Sequence, residues 1–587
     1  MHRPSPTRGP WRRRAAAGLR RRWPECALGF GVVLVILGPV LGPGYLLRYD
    51  LVFVPDPPFG AMVWGSDGAL PRAVPSELLA VGLSRLIGAD VAQKVLLAGA
   101  LLLAAVGAAR LTPVGHPAAR IAAGLCYVWN PWVYGRLHLG QWAIIAGYAA
   151  LPWAYAWVVG VIRAQPAGVG RRAAIAGGLP VVLGGPALVL AAVLTCAPAL
   201  VLARRWRALA AGGATLVGLT LPWQLAFLDR GGAVDLDERG IAAFAARADT
   251  PLGVLGSVLT LGGVWNRHAA PVGRDQWPVA LFALALATSA VAAFLLSRRW
   301  PPALRWGLAI GALLGIVIAV AAAWPPGERM LVGLVEHVPV AGIVRDGTRM
   351  LAPLALLQAV GLGLLVQSLV TSAGRAATAI LVLAPVLVLP GMAWGLTGQL
   401  DTVRYPPEWA SVRAVVNDDP AGGSLVSLPW SSFRAYRWAG NVPVLDPAPR
   451  AFRRPVVGDQ DVLVGRERIR GESRAAERVA AALAGPGDPG PALRRLDVRY
   501  VLIQTDQPGA GGLEGRFIDA DLVRRDGALT LLRLTGDGPT PAQGGIGTVP
   551  VMGYSVLTAT LLIALLRPTK RLRRMLLSGH LVGRDRQ

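Results

Sequence analysis

The chain has 587 residues, 53% hydrophobic and 16% charged, with 59 Lys and Arg against 34 Asp and Glu, a formal net charge of +25. A soluble domain is nearer about 25% charged, so this composition excludes a disordered chain, a secreted disulfide scaffold and an ordinary cytosolic enzyme. A mean hydropathy of +0.48 points to a multi-span membrane protein.

Residues 1–25 are polar and Arg-rich, and an apolar run follows from Cys26 to about Leu47. That run exceeds a signal-peptide core and shows no small-residue cleavage site, so it reads as an uncleaved signal anchor with its arginines in the cytoplasm. Further apolar runs lie near 91–110, 119–135, 140–162, 173–203, 208–228, 276–297, 303–324, 350–370, 376–397 and 549–566. The 173–203 run exceeds one span and is broken by Gly184-Gly185-Pro186, with arginines at both ends. Read as two short helices or a re-entrant pair, it brings the total to about twelve spans, with both termini inside.

The runs divide the chain into a basic tail (1–25), a transmembrane helical domain (26–397), a domain at 398–548, a last span (549–566) and a second basic tail (567–587). Outer loops at 48–90, 229–275 and 325–349 belong to the helical domain. The 398–548 segment mixes patterns: Glu408–Val416 and Ser473–Leu483 read as helices, and Ser424–Leu428, Arg499–Gln504 and Leu529–Leu534 as strands. An extracytoplasmic α/β domain is expected there. Lys570–Leu581 is basic with interleaved leucines, which suits topology marking or contact with anionic membrane lipid.

This topology is tested by charge. It leaves 27 of the 59 bases and two of the 34 acids on the inner side, and 32 of each outside. The positive-inside rule concerns Lys and Arg, so the segregation of acids is a partly separate check. The excess charge thus records orientation, and no nucleic-acid partner is expected.

The spans carry no Asp or Glu at depth, which speaks against an ion-coupled carrier. Walker A, HExxH, CxxC and GxSxG patterns are absent from the sequence. Cys26, Cys126 and Cys196 all sit in apolar runs and read as buried structural thiols.

Chemistry-bearing residues gather in the outer segments. Asp50 follows the first span and Asp56 comes six residues later in a Pro-stiffened segment. Either carboxylate could take a proton from an attacking sugar hydroxyl, or cap and structure the loop. Asn130, Arg136, His138 and Gln141 crowd one short turn among aromatics that also suit an interface belt. Arg136 can hold a phosphate through paired N–H donors, and His138 can move a proton or hydrogen-bond locally. Arg345 and Arg349, four apart before a span, suit a phosphate or a lipid headgroup. Asp235-x-Asp237-Glu238 has the oxygen ligands for a hard divalent cation, but a solvated acidic loop is the favoured reading. No metal ligand is assigned and no cofactor is certain, with a divalent cation left open.

The order of these features resembles the GT-C superfamily of membrane glycosyltransferases: an acidic first outer loop directly after the first span, many short-looped spans and a C-terminal extracytoplasmic α/β domain. The local patterns Tyr127-x-x-Asn130-Pro131, Gly140 with Tyr148, Pro339–Arg345-Asp346 and Leu496-Asp497-Val498-Arg499-Tyr500-Val501 are similar to YfhO-type members and to envelope arabinofuranosyl- and mannosyltransferases of high-GC bacteria. The resemblance implies a polyprenyl-phosphate sugar donor, an envelope glycan or lipid acceptor, and a first-loop carboxylate as base. Asp50 is then the first expectation for the base and Asp56 the second, and Arg136, Arg345 and Arg349 are the phosphate candidates. The chain departs from the adjacent acidic pair commonest in that superfamily. Two other readings stand beside it: a transporter or flippase of a lipid-linked precursor, and a non-catalytic envelope-assembly protein. In each the chain lies in the cytoplasmic membrane with both termini inside.

Overall fold

The computed structural model describes residues 23–67, 69–71, 74–164, 181–229, 237–372, 374–465, 467–535 and 547–565. Residues 1–22 of the first basic tail, the whole of the second, Asp235 and residues 165–180 therefore lie outside the described residues.

Among the described residues, seven helices are long and apolar enough to cross a membrane: Ala89–Leu111, Trp142–Ile162, Gly185–Leu202, Trp206–Asp229, Trp277–Leu296, Pro302–Ala321 and Gly347–Leu369. An eighth crossing forms if Gly374–Val388 and Pro390–Gly398, bent by 67°, count as one, and Glu25–Leu41, Pro117–Val128 and Thr548–Ile563 are shorter apolar helices. The protein is thus a polytopic helical membrane protein. The 119–135 run, expected as one span, divides at Asn130-Pro131 into helices Pro117–Val128 and Pro131–His138. Pro131 has no N–H to continue the first helix, and Asn130, in extended backbone, caps the second by accepting from Val133 N–H at 3.0 Å. In the 173–203 run, Gly185–Leu202 is one helix starting within the expected Gly184-Gly185-Pro186 break.

Gly347–Leu369 is the hub of the bundle, with 89% of its apolar window buried, against 28% for Trp206–Asp229 and Trp277–Leu296, whose apolar faces remain for lipid. With no water to drive helices together in lipid, close packing does the work. Gly311 shows it: a Cβ there would lie 2.0 Å from the Leu194 carbonyl oxygen, so the bare backbone lets Pro302–Ala321 lie directly on Gly185–Leu202.

The later segment builds a mixed five-stranded sheet. Its strands are β1 (Ser424–Leu428), β2 (Val456–Val457), β3 (Val498–Gln504), β4 (Ala520–Asp526) and β5 (Leu529–Leu534). The order is β4-β5-β3-β1-β2, with β1 parallel to both β2 and β3 and the other pairs antiparallel. Side chains alternate across it. Tyr500 and Leu502 join the core under helix Glu408–Asp418, while Val501 and Ile503 join the core under helix Arg474–Ala484.

The segments expected outside meet one another at one end of the helices. Tyr45–Leu46 pairs with Thr402–Val403, Tyr49 bridges to Val444, Arg345 pairs with Glu472, and Arg470 N–H donates to Asp237. Basic segments expected inside also meet: Arg163 donates to the Arg299 carbonyl, and Arg299 to that of Pro113.

Candidate functional site

The first loop is held in a strained shape against two partners. Tyr49 sits at φ +44, costly for a residue with a side chain. Its N–H donates to the Pro443 carbonyl at 2.6 Å, and its own carbonyl accepts from Leu445 N–H at 2.9 Å. On the other side Asp50 N–H donates to the Leu139 carbonyl at 3.1 Å. Gly140, at φ +70, makes this approach possible: a Cβ there would stand 2.2 Å from the Arg48 carbonyl and 2.5 Å from Leu51 N. Asp50 is thereby seated on the turn between helices Pro131–His138 and Trp142–Ile162.

Asp50 faces a cavity of about 470 Å³ between the helices and the α/β unit. Gln141, Arg345, Asp346 and Arg349 also line it, as do Glu77, Arg450 and Glu472. The remaining wall is apolar, including Ile144, Leu183, Trp223 and Phe227 from the helical domain. One cavity therefore carries both ionic and hydrocarbon side chains in its lining.

Its charges are paired. Arg349 Nε lies 3.1 Å from Asp346 Oδ2, Arg345 Nη1 lies 3.3 Å from Glu472 Oε1, and Arg450 donates to Glu77 Oε1 at 2.7 and 3.0 Å. The Arg345 guanidinium also stands 4.5 Å over the Phe244 ring. Glu77, Arg450 and Glu472 were not singled out from sequence. Glu77 lies 373 residues from its partner Arg450, and no local spacing reports such a contact.

Arg136, a phosphate candidate by sequence, lies behind this wall with only 2% of its surface exposed. It donates to Asp346 Oδ2 at 2.6 Å and Oδ1 at 3.3 Å, to Thr348 Oγ1 at 2.6 Å and to Gln141 Oε1 at 3.0 Å. With its terminal nitrogens so engaged it supports the site rather than facing a ligand. Burial alone would raise the Asp346 carboxyl, but the Arg136 and Arg349 guanidiniums and hydrogen bonds from Arg136 and Thr348 hold it well below the usual carboxylate range.

His138 does not line the cavity. Arg48 donates through Nη2 to its Nε2 at 2.9 Å and through Nε to its carbonyl at 3.0 Å. Burial, reinforced by the Arg48 charge, pushes the imidazole pKa down to about 3. The ring is a neutral acceptor, which fits the local hydrogen-bonding reading. Asn130, the helix cap, also donates to the Cys126 and Tyr127 carbonyls and to the Tyr148 hydroxyl at 3.1, 2.8 and 3.3 Å. Tyr127 and Tyr148 each donate to the other's carbonyl, and their rings stack at 4.2 Å. The Tyr127, Asn130 and Tyr148 pattern is thus a clasp that shapes the turn carrying Arg136 and Gln141.

Asp56 lies outside the cavity lining, with 59% of its side chain exposed. It pairs with Arg85 and with Arg413 of helix Glu408–Asp418, the latter at 3.4 Å. This arrangement makes it a strap between the first loop and the α/β unit. Among the described residues no group of three His, Cys, Asp or Glu could hold a metal ion. Asp237 accepts from the Arg239 and Arg470 backbone N–H groups. All three cysteines are free thiols.

No family model and no curated protein matches the chain. Among solved structures it is similar to ArnT from Cupriavidus metallidurans bound to undecaprenyl phosphate, with a TM-score of 0.43 and 14% identity over 88% of this chain and 98% of that one. It is also similar to the same protein in the apo state, with a TM-score of 0.41 and 15% identity over 89% and 98% of the respective chains. TM-scores below 0.5 at such identities do not by themselves establish a common family.

Proposed function

We propose that this chain is an integral membrane glycosyltransferase of the GT-C type, moving a sugar from a polyprenyl-phosphate donor to an envelope glycan or lipid acceptor on the extracytoplasmic face. The observation that carries the reading is the cavity of about 470 Å³, lined by Asp50, Arg345 and Arg349 together with Leu183, Trp223 and Phe227. Its surface suits a ligand with an anionic head and a hydrocarbon tail. Within the superfamily, the resemblance lies with YfhO-type members and envelope arabinofuranosyl- and mannosyltransferases.

Asp50 is the general base in this reading. It accepts the proton of the acceptor hydroxyl as that oxygen attacks the anomeric carbon and the bond to the phosphate oxygen breaks. The leaving polyprenyl phosphate is an anion, and Arg349 and Arg345 stabilise the charge that develops on it. The outward placement rests on the segregation of charge along the sequence. A lipid flippase would use the same apolar wall; a carboxylate seated by a strained loop in the polar wall favours transfer chemistry.

The test is transfer by the purified protein in liposomes, with radiolabelled polyprenyl-phosphoryl sugars and extracted envelope glycan. New glycosidic bonds that depend on Asp50 support the reading. Movement of intact donor between leaflets, with no new bond for any sugar tried, overturns it.

A further inference from the structure

The Gln141 amide lies between Asp50 and Arg136, and its orientation is dictated by its neighbours. Arg136 Nη1 donates to Gln141 Oε1 at 3.0 Å. A guanidinium has donors only, so the amide oxygen must face it and the group cannot flip. The amide NH2 then faces Asp50 Oδ2 at 3.0 Å. An NH2 only donates there, so that carboxylate oxygen must accept.

Arg136 is itself fixed. It is buried, held by Asp346 and Thr348, and its carbonyl accepts from Gln141 N–H at 2.9 Å. Thr348 also donates to Asp346 Oδ1 at 2.6 Å, and Asp346 meets Arg349 at 3.1 Å. A continuous polar chain thus runs from Asp50 through Gln141, Arg136 and Asp346 to Arg349.

We propose that Gln141 is a positioning residue for Asp50, holding its carboxylate in the ionised, acceptor state and in the orientation set by the buried Arg136–Asp346 pair. The proposal rests on the reading of Asp50 as the base. A donor aimed at the charged form of a carboxyl favours that form. Without it the ionised form of Asp50 loses that donor. Among the described residues, the other charges lining the cavity include the pairs Glu77–Arg450, Glu472–Arg345 and Asp346–Arg349, with Arg48–His138 behind the loop. Substitution at Gln141 removes none of them.

The experiment titrates Asp50 directly in the full-length protein in nanodiscs, without turnover. A water-soluble carbodiimide with an amine nucleophile modifies protonated carboxyls, and peptide mass spectrometry reads the pH of half-modification at Asp50. Two variants are compared with wild type. Gln141→Leu removes the donor. Gln141→Glu keeps a partner for Arg136, and so keeps the wall intact, but sets a like charge beside Asp50.

The midpoint is expected to rise by at least about one pH unit, tenfold in proton affinity, in Gln141→Glu and to rise in Gln141→Leu. An unchanged midpoint in either folded variant overturns the proposal; a rise in Gln141→Glu alone is the effect of its added charge. Transfer by Asp50→Asn is measured separately. If the midpoint moves and Asp50→Asn still transfers, Gln141 positions Asp50 but Asp50 is not the base. If Asp50→Asn is dead and the midpoint is fixed, the base stands and the positioning role falls.

Discussion

Arg136 and Asp346, 210 residues apart in the chain, meet at 2.6 Å with 2% and 5% of their side chains exposed. Removing one member of such a pair leaves a buried charge without its counter-ion. Arg136→Ala and Asp346→Ala should each cost about 3–5 kcal/mol, read as a large fall in the thermal midpoint in detergent. Arg136→Met with Asp346→Leu should cost less than the sum of the two alanine variants.

Acid should destabilise the fold through two groups. His138 is held near 3 in the folded protein, below its ordinary 6.5. The unfolded chain therefore binds more protons between those values, and stability falls as pH drops from about 6.5 toward 3. Asp346 adds a loss as pH falls below the ordinary carboxylate value of 3.8, since its folded form is held lower still. Thermal midpoints at pH 7, 5.5 and 4.5 should fall in wild type and fall less steeply in His138→Gln. Equal slopes would remove His138 from the account.

Gly140→Ala brings a Cβ within 2.2 Å of the Arg48 carbonyl at a position with φ +70. Strain of this kind costs about 1–3 kcal/mol, and relief requires the first loop to shift. Transfer should fall by more than the loss of folded protein explains, because Asp50 N–H bonds to the same turn. Proportional losses would mean that Gly140 serves folding alone.

The two basic groups nearest the proposed phosphate should act on donor affinity. A charge-assisted hydrogen bond is worth roughly 1.5–3 kcal/mol, so Arg349→Ala should raise the donor KM roughly 10–100-fold. Asp56→Asn should change transfer by no more than about threefold, because its carboxylate pairs with Arg85 and Arg413 away from the cavity. Loss of transfer in Asp56→Asn with a normal thermal midpoint would reverse the order of the two acids.

Elements held together by local pattern were legible in the sequence. Ser424–Leu428 and Leu529–Leu534 form strands at the expected residues, and Trp277–Leu296 fills its apolar run. Asp50 as a loop carboxylate, and the arginine pair before the 350–370 run, could be read from position. What could not be read were partners. Whether Arg136 faces a ligand or Asp346 depends on a contact 210 residues away, and Arg450 and Glu472 enter the cavity only because the α/β unit closes on it. The 119–135 run misled because apolar content hides a break made by one cap and one proline, Asn130 and Pro131.

The most direct measurement compares Asp50→Asn with wild type in donor binding and single-turnover transfer, using the same liposomes and a polyprenyl-phosphoryl sugar that wild type turns over. General-base catalysis contributes about 10²–10⁴-fold. The expected result is donor binding within a few-fold of wild type and transfer reduced by at least about a hundredfold. Transfer at the wild-type rate would contradict the central claim.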